Sequence, residues 1–216
     1  MSEKIRLKLT EIFYSLQGES TLSGLPTVFI RLTGCPLRCV YCDTAYAFQG
    51  GEWFDLEAIA AEVKKHPVRH VCVTGGEPLA QKNCLPLLSL LCDEGYVVSL
   101  ETSGALDIAS VDSRVMKVVD LKTPSSGEES RNRLQNIEHL SGRDQVKFVI
   151  MNDVDYQWAK QMIDQYQLAS RCEILMSPVW DQMTPRHLAD SILSDGLPVR
   201  MQLQLHKLLW GQETGR

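Results

Sequence analysis

The chain has 216 residues, 44% of them hydrophobic, and a formal net charge of -5; that length suits one domain, 1–216, burying roughly 70% of its unfolded surface. Acidic and basic residues are interspersed, leaving no basic stripe to grip phosphates, so nucleic acid is excluded as a direct partner. No apolar run approaches the roughly 18 residues of a membrane span and the opening Met1-Ser2-Glu3-Lys4 is not signal-like, so no membrane partner is expected and the protein should be soluble and cytoplasmic.

In chain order, Ile5 to Phe13 alternates imperfectly and predicts a strand, followed by the polar loop Ser15-Leu16-Gln17-Gly18-Glu19-Ser20 and a buried strand over Thr27–Leu32. The segment Thr33-Gly34-Cys35-Pro36-Leu37-Arg38-Cys39-Val40-Tyr41-Cys42-Asp43-Thr44 begins at that strand's carboxyl end. Asp55 can cap a helix over Leu56–Lys64 that Pro67 ends. A strand over His70–Thr74 leads to the turn Gly75-Gly76-Glu77-Pro78 and a helix that stops at Gly95. Strands follow at Val97–Glu101 and Val115–Leu121, then a polar helix near 128–140. The remaining expectations are a strand over Gln145–Ile150, a helix capped by Asn152 or Asp153, a strand over Cys172–Met176, a helix near 184–194 and a strand over Val199–Leu203.

Short β-branched runs alternating with amphipathic segments mean right-handed βαβ units and a parallel sheet of about seven strands. In such folds ligands sit at the carboxyl ends of the strands. The polar oddities cluster there: the cysteine loop after the first core strand, Gly-Gly-Glu-Pro after the second, Glu101-Thr102-Ser103-Gly104 after the third. Asp120-Leu121-Lys122 follows the fourth, Ser177-Pro178 the sixth and Gln204-Leu205-His206-Lys207 the last.

Seven cysteines is an odd number, and only Cys35, Cys39 and Cys42 cluster, which disfavours a disulfide framework and suits a reducing compartment. Cys72, Cys84, Cys92 and Cys172 read as small buried hydrophobes. Three thiols at C-x3-C-x2-C are one fewer than closed zinc sites and ordinary iron–sulfur clusters take, so one metal position stays open. A zinc site completed by a distant His or Cys is the competing reading.

With an aromatic, Tyr41, directly before the third cysteine, the loop resembles that of the radical S-adenosylmethionine (SAM) enzymes. The resemblance implies a [4Fe–4S] cluster on Cys35, Cys39 and Cys42, whose open iron binds SAM and whose electron cleaves it to a 5′-deoxyadenosyl radical. Gly75-Gly76-Glu77 looks like the family's SAM-holding turn, with glycines for close approach and Glu77 for the methionine ammonium.

Phe13 to Glu19, Arg31 to Cys35, Tyr41-Cys42-Asp43-Thr44, Glu101 to Gly104 and Gln204 to Lys207 together resemble the 7-carboxy-7-deazaguanine synthase family over essentially the whole chain. That likeness implies a lyase of queuosine biosynthesis, folded as an α/β partial (open) TIM-like barrel of about six to seven parallel strands. Its substrate would be 6-carboxy-5,6,7,8-tetrahydropterin. It also implies Mg²⁺, a homodimer, and electrons from a flavodoxin- or ferredoxin-type reductant. By the same resemblance Leu16, Gln17, Gly18, Glu19, Arg31, Thr102 and His206 contact the pterin and Thr44 contacts Mg²⁺. Tyr41, Cys42, Asp43, Gly104, Asp120, Leu121, Lys122 and Ser177 join the glycine turn around SAM. Two departures stand out: related enzymes often carry Ser-Pro-Lys where this chain has Asp120-Leu121-Lys122, and six residues follow Trp210, which puts a role for the terminal carboxylate in question. A glycyl-radical activating protein shares the cysteine loop, but the Gln17, Glu19 and Arg31 set argues against it.

Overall fold

The structure, a computed structural model, describes residues 5–211 and 213–215; Met1-Ser2-Glu3-Lys4 and, in the tail, Gln212 and Arg216 lie outside the described residues. Among the described residues nine strands form one sheet: β1 (Arg6–Leu16), β2 (Pro26–Leu32), β3 (Glu52–Asp55), β4 (His70–Gly75), β5 (Val97–Thr102), β6 (Met116–Asp120), β7 (Gln145–Ile150), β8 (Glu173–Pro178) and β9 (Arg200–Met201). Their order is β3-β1-β2-β4-β5-β6-β7-β8-β9. The pairings from β2 through β9 are parallel, whereas β1 lies antiparallel between β2 and β3. The seven parallel strands are those anticipated from sequence; β3 was not.

Four helices pack on the sheet: α1 (Leu56–Val63), α2 (Cys84–Asp93), α3 (Asp153–Tyr166) and α4 (Pro185–Asp195), and a short α5 (Leu205–Trp210) follows β9. Their starts follow local chemistry. Asp55, Asn152 and Thr184 each accept a bond from the backbone N–H three residues on, and Pro185 opens α4. No helix is long and apolar enough to cross a membrane among the described residues.

The polar segment near 128–140 is not an α-helix but a series of 3₁₀ turns at Glu129–Arg131 and Leu134–His139. Its side chains supply the reason. Asn132 bonds both the N–H and the C=O of Lys122, and Asn136 donates to the carbonyls of Gly104 and Leu106. Asparagines committed to distant backbone in this way compete with the helical ladder. Two further corrections concern strand ends. Ser177 and Pro178 close β8 rather than form a turn after it, and the last strand shrinks from five residues to Arg200–Met201.

The sheet curls. Between β1 and β9 lie seven strand spacings of roughly 4.8 Å, about 34 Å if flat. Yet Ser20, four residues past β1, shares two hydrogen bonds with Gln202, one past β9, at 2.9 and 2.6 Å. Only a partial barrel brings those ends together.

Strand alternation then divides the residues between two faces. Val28, Ile30, Val71, Val73, Val98 and Leu100 meet α1 and α2 in one apolar core, and Val146, Phe148, Ile150 and Ile174 meet α3 and α4 in another. The intervening positions point into the barrel, where Arg31, Thr74, Glu101, Asp120 and Lys147 line a common cavity.

Candidate active site

The cavity, about 810 Å³, opens at the carboxyl ends of the parallel strands. Cys35, Cys39 and Cys42 lie on one wall, all three free and partly exposed. Their loop is held by its own backbone and by Arg38, whose Nη1 donates to the carbonyls of Cys35 (2.8 Å) and Leu37 (2.6 Å) while its guanidinium stacks 4.4 Å over Phe48. The Val40 N–H donates to the Ser126 carbonyl. Burial pushes the Cys39 thiol up to about 11 and raises those of Cys35 and Cys42, so holding a metal there would require their deprotonation.

The glycine turn abuts this loop. A Cβ on Gly76 would lie 2.3 Å from the Gly34 oxygen and 2.7 Å from Cys35 Cβ, and Gly75 has φ +158 with its Cβ position 2.4 Å from the Leu32 oxygen. The Glu77 N–H donates to the Gly34 carbonyl at 2.8 Å, tying turn to loop. Glu77 itself does not line the cavity. Its fully buried carboxylate accepts from Leu79 N–H (2.9 Å), Thr102 Oγ1 (2.9 Å), Ser103 N–H (2.7 Å) and Ser103 Oγ (2.5 Å).

Gln17, Gly18 and Glu19 enter the same cavity from the β1–β2 loop, with Leu16 beside them. Glu19 Oε1 accepts from Gln204 Nε2 at 2.7 Å, Glu19 Oε2 from Lys147 Nζ, and the Glu19 N–H donates to Gln17 Oε1 at 3.1 Å. Burial would raise the Glu19 carboxyl, but Lys147 and Gln204 outweigh it and hold it below the usual carboxylate range. Gln17 Nε2 reaches Glu101 Oε1 at 3.3 Å, and Thr74 donates to Glu101 Oε2 at 3.0 Å. Arg31, raised by Tyr46 and Glu11 against the opposing effect of burial, donates from Nε to Glu11 Oε1 at 2.7 Å. His206 sits against Gly18, where an added Cβ would be 2.3 Å from its Nδ1.

Within the cavity, Asp120 Oδ2 pairs with Lys122 at 2.9 Å and approaches Lys147 at 3.9 Å. Burial opposes the charge on both lysines, yet neighbouring anions raise both. Thr44 Oγ1 donates to Asp43 Oδ1 at 3.0 Å.

Most residues singled out from sequence thus face one space. Gly104, Leu121 and Ser177, like Glu77, do not line it: Gly104 turns at φ +71 against Val119, Leu121 joins the apolar core, and Ser177 is buried in β8. Sequence reading missed Lys147 as well as Glu11 and Tyr46 around Arg31. It also missed the tail, of which Gly211 and residues 213–215 line the cavity. A signal existed for one of them: Lys147 is the lone charge in an apolar strand, the same position type that Arg31 holds in β2.

Residues 29–122 match the Radical SAM superfamily. Over 217 residues the chain is 44% identical to 7-carboxy-7-deazaguanine synthase of Chlorobaculum tepidum, covering 99% of both chains. The same enzyme of Koribacter versatilis is 40% identical over 96% of this chain and 99% of its own. The chain belongs to the 7-carboxy-7-deazaguanine synthase family. Its fold agrees with the crystal structure of QueE from Escherichia coli, at a TM-score of 0.78 and 25% identity, covering 94% of this chain and 95% of that one.

Radical SAM chemistry brings a [4Fe–4S] cluster and SAM, and the cavity has features that fit both. Three thiols on one loop match a cluster with one open iron. The backbone cradle at Gly75-Gly76 admits no side chain, and among the described residues the buried Asp120 Oδ1 has no hydrogen-bond partner, so it would suit a hydroxyl donor from a ligand.

Proposed function

We propose that this cavity converts 6-carboxy-5,6,7,8-tetrahydropterin to 7-carboxy-7-deazaguanine with release of ammonia, the reaction of its family in queuosine biosynthesis. The observation that carries the reading is near-full-length identity to synthases of that name, in a chain whose cysteine loop, glycine turn and polar β1–β2 loop meet in one cavity.

Cys35, Cys39 and Cys42 would hold the cluster, and Tyr41, Gly75, Gly76, Asp120 and Lys122 would surround SAM. Bound there, cluster and SAM supply the one-electron chemistry that removes hydrogen from a carbon of the substrate. The chain's own residues bind and orient. Gln17 and Glu19 offer an amide and a carboxylate to the pterin's donor–acceptor edge, Thr102 and His206 border it, and Arg31 offers a guanidinium to the substrate carboxylate. Glu77 acts from behind, fixing Thr102 and Ser103. Thr44 and Asp43 offer oxygens to Mg²⁺, which needs waters and substrate oxygens to complete six ligands.

We read residues 1–216 as one radical SAM domain, working as a homodimer in the cytoplasm and reduced by a flavodoxin or ferredoxin. All seven cysteines are free, which suits a reducing compartment. Anaerobic reconstitution should give an iron–sulfur absorption band and turnover of the tetrahydropterin without stoichiometric loss of SAM. A fully loaded protein that forms no 7-carboxy-7-deazaguanine would overturn the assignment.

A further inference from the structure

Lys147 projects from the middle of β7 into the cavity between two carboxylates. Its ammonium pairs with Glu19 Oε2 and lies 3.9 Å from Asp120 Oδ2, and its side chain is only 13% exposed. Asp120 in turn pairs with Lys122 at 2.9 Å, so Glu19, Lys147, Asp120 and Lys122 form a row of alternating charge. The row is balanced: two anions face two cations, and Lys147 is the only member that touches Glu19. The other polar bond to the Glu19 carboxylate comes from Gln204, a neutral amide.

We propose that Lys147 sets the specificity of the substrate cavity: by keeping Glu19 a carboxylate, it makes that residue select a ring edge bearing an amino group over one bearing an oxo group. This rests on the reading of Glu19 as the pterin-edge contact. A carboxylate has about four acceptor positions. Lys147 and Gln204 occupy two, leaving room for two ring N–H donors. Without the cation, a carboxylate only 11% exposed would be driven toward its neutral form. A neutral carboxyl carries a hydroxyl donor, which an oxo edge could satisfy. Reversal of donor and acceptor at a buried polar edge is the kind of mismatch that produces large discrimination, because the wrong ligand leaves site groups unpaired.

The test uses full-length protein reconstituted anaerobically with cluster and SAM, and equilibrium binding of 6-carboxypterin and of 6-carboxylumazine, which carries an oxo group in place of the 2-amino group. Both are followed by ligand fluorescence. Wild type and Lys147→Arg should prefer the pterin by at least about tenfold, and Lys147→Met should cut that preference to below about threefold. Lys147→Gln, which keeps a polar side chain in the cavity, should behave as Lys147→Met does and serves if the methionine variant does not fold. Equal weakening of both ligands, or an unchanged preference, would overturn the proposal and leave Lys147 a structural residue. Glu19→Gln separates the two levels of the argument. If that variant keeps the pterin preference, the reading of Glu19 falls and this inference with it; if it loses the preference while the lysine variants keep it, Lys147 alone is wrong.

Discussion

The Asp43 carboxylate of the cysteine loop, which follows β2, meets the Lys207 ammonium of α5, which follows β9, at 2.9 Å. Gln204 strengthens the joint, reaching Glu19 at 2.7 Å and Asp43 at 3.3 Å. Burial opposes the charge on Asp43, but Lys207 outweighs it and keeps the carboxyl far below the usual range. The segment carrying Gln204 and His206 is therefore latched to the cofactor loop.

Lys207→Met should release that latch. Because the Asp43 side chain remains 45% exposed, solvent screens the pair and its loss should cost no more than about 1 kcal/mol of stability. Substrate binding should suffer more, with KM rising several-fold while kcat changes little, since His206 and Gln204 lose their anchor. Thermal unfolding and steady-state kinetics on one preparation separate the two effects; a large fall in Tm with unchanged KM would show that the pair serves folding instead.

Glu77 makes the opposite prediction. Four short hydrogen bonds converge on its buried carboxylate, and an amide would set an NH₂ group against at least one of those donors. Glu77→Gln should therefore destabilise the protein by about 1–3 kcal/mol and weaken SAM binding by displacing the turn after β5. Denaturant midpoints with and without SAM measure both, and a wild-type midpoint would refute the structural role.

How much of this was legible beforehand follows from where each constraint resides. β2 and the strands from β4 to β8 announce themselves through local β-branched runs, and the cysteine loop and glycine turn through fixed spacing. β3 has no such run: Glu52-Trp53-Phe54-Asp55 is a strand because β1 extends far enough to pair with it, Arg6 opposite Asp55 and Leu9 opposite Glu52. β9 ends early because Gln202 turns its amide to the Ser20 backbone, a partner 182 residues away. Glu11 looked like an ordinary strand residue and Lys147 announced only a lone charge in an apolar strand, since the groups that give them meaning, Arg31 and Glu19, arrive from other strands or loops. Glu77 shows the limit of a motif: its position in the turn was readable, whereas the direction of its side chain, toward Thr102 and Ser103, was not.

Gly18 and His206 form a steric pair with a pH signature. Gly18→Ala would place a Cβ 2.3 Å from His206 Nδ1, a contact relieved by moving the imidazole rather than backbone. Folding should survive, KM should rise, and His206→Ala in the same chain should make the alanine at position 18 nearly silent. Burial lowers the His206 pKa despite the nearby Glu19 and Asp43, so the folded state prefers the neutral ring. Its contribution to stability is therefore complete above the ordinary imidazole range near 6.5 and declines as pH falls toward the lowered folded value. Unfolding free energies between pH 8 and pH 5, from about full contribution to about its loss, should fall less steeply for His206→Gln than for wild type; parallel curves would remove the histidine from the account.

Thr44 is where metal dependence should appear. Its hydroxyl lies 3.0 Å from Asp43 Oδ1, giving two adjacent oxygen donors of the type Mg²⁺ accepts, too few to hold the ion without substrate and water. Thr44→Ala removes one oxygen and leaves in place the backbone N–H through which Thr44 bonds the Cys42 thiol. Iron and sulfide content after reconstitution should match wild type, and so should SAM binding. The Mg²⁺ concentration for half-maximal turnover should rise by about tenfold or more, in line with the loss of a positioned metal ligand, and Thr44→Ser should restore most of the effect because it returns the oxygen. Equal Mg²⁺ requirements in all three proteins would move the ion away from this loop, leaving Thr44 a partner of Asp43 at the cavity rim.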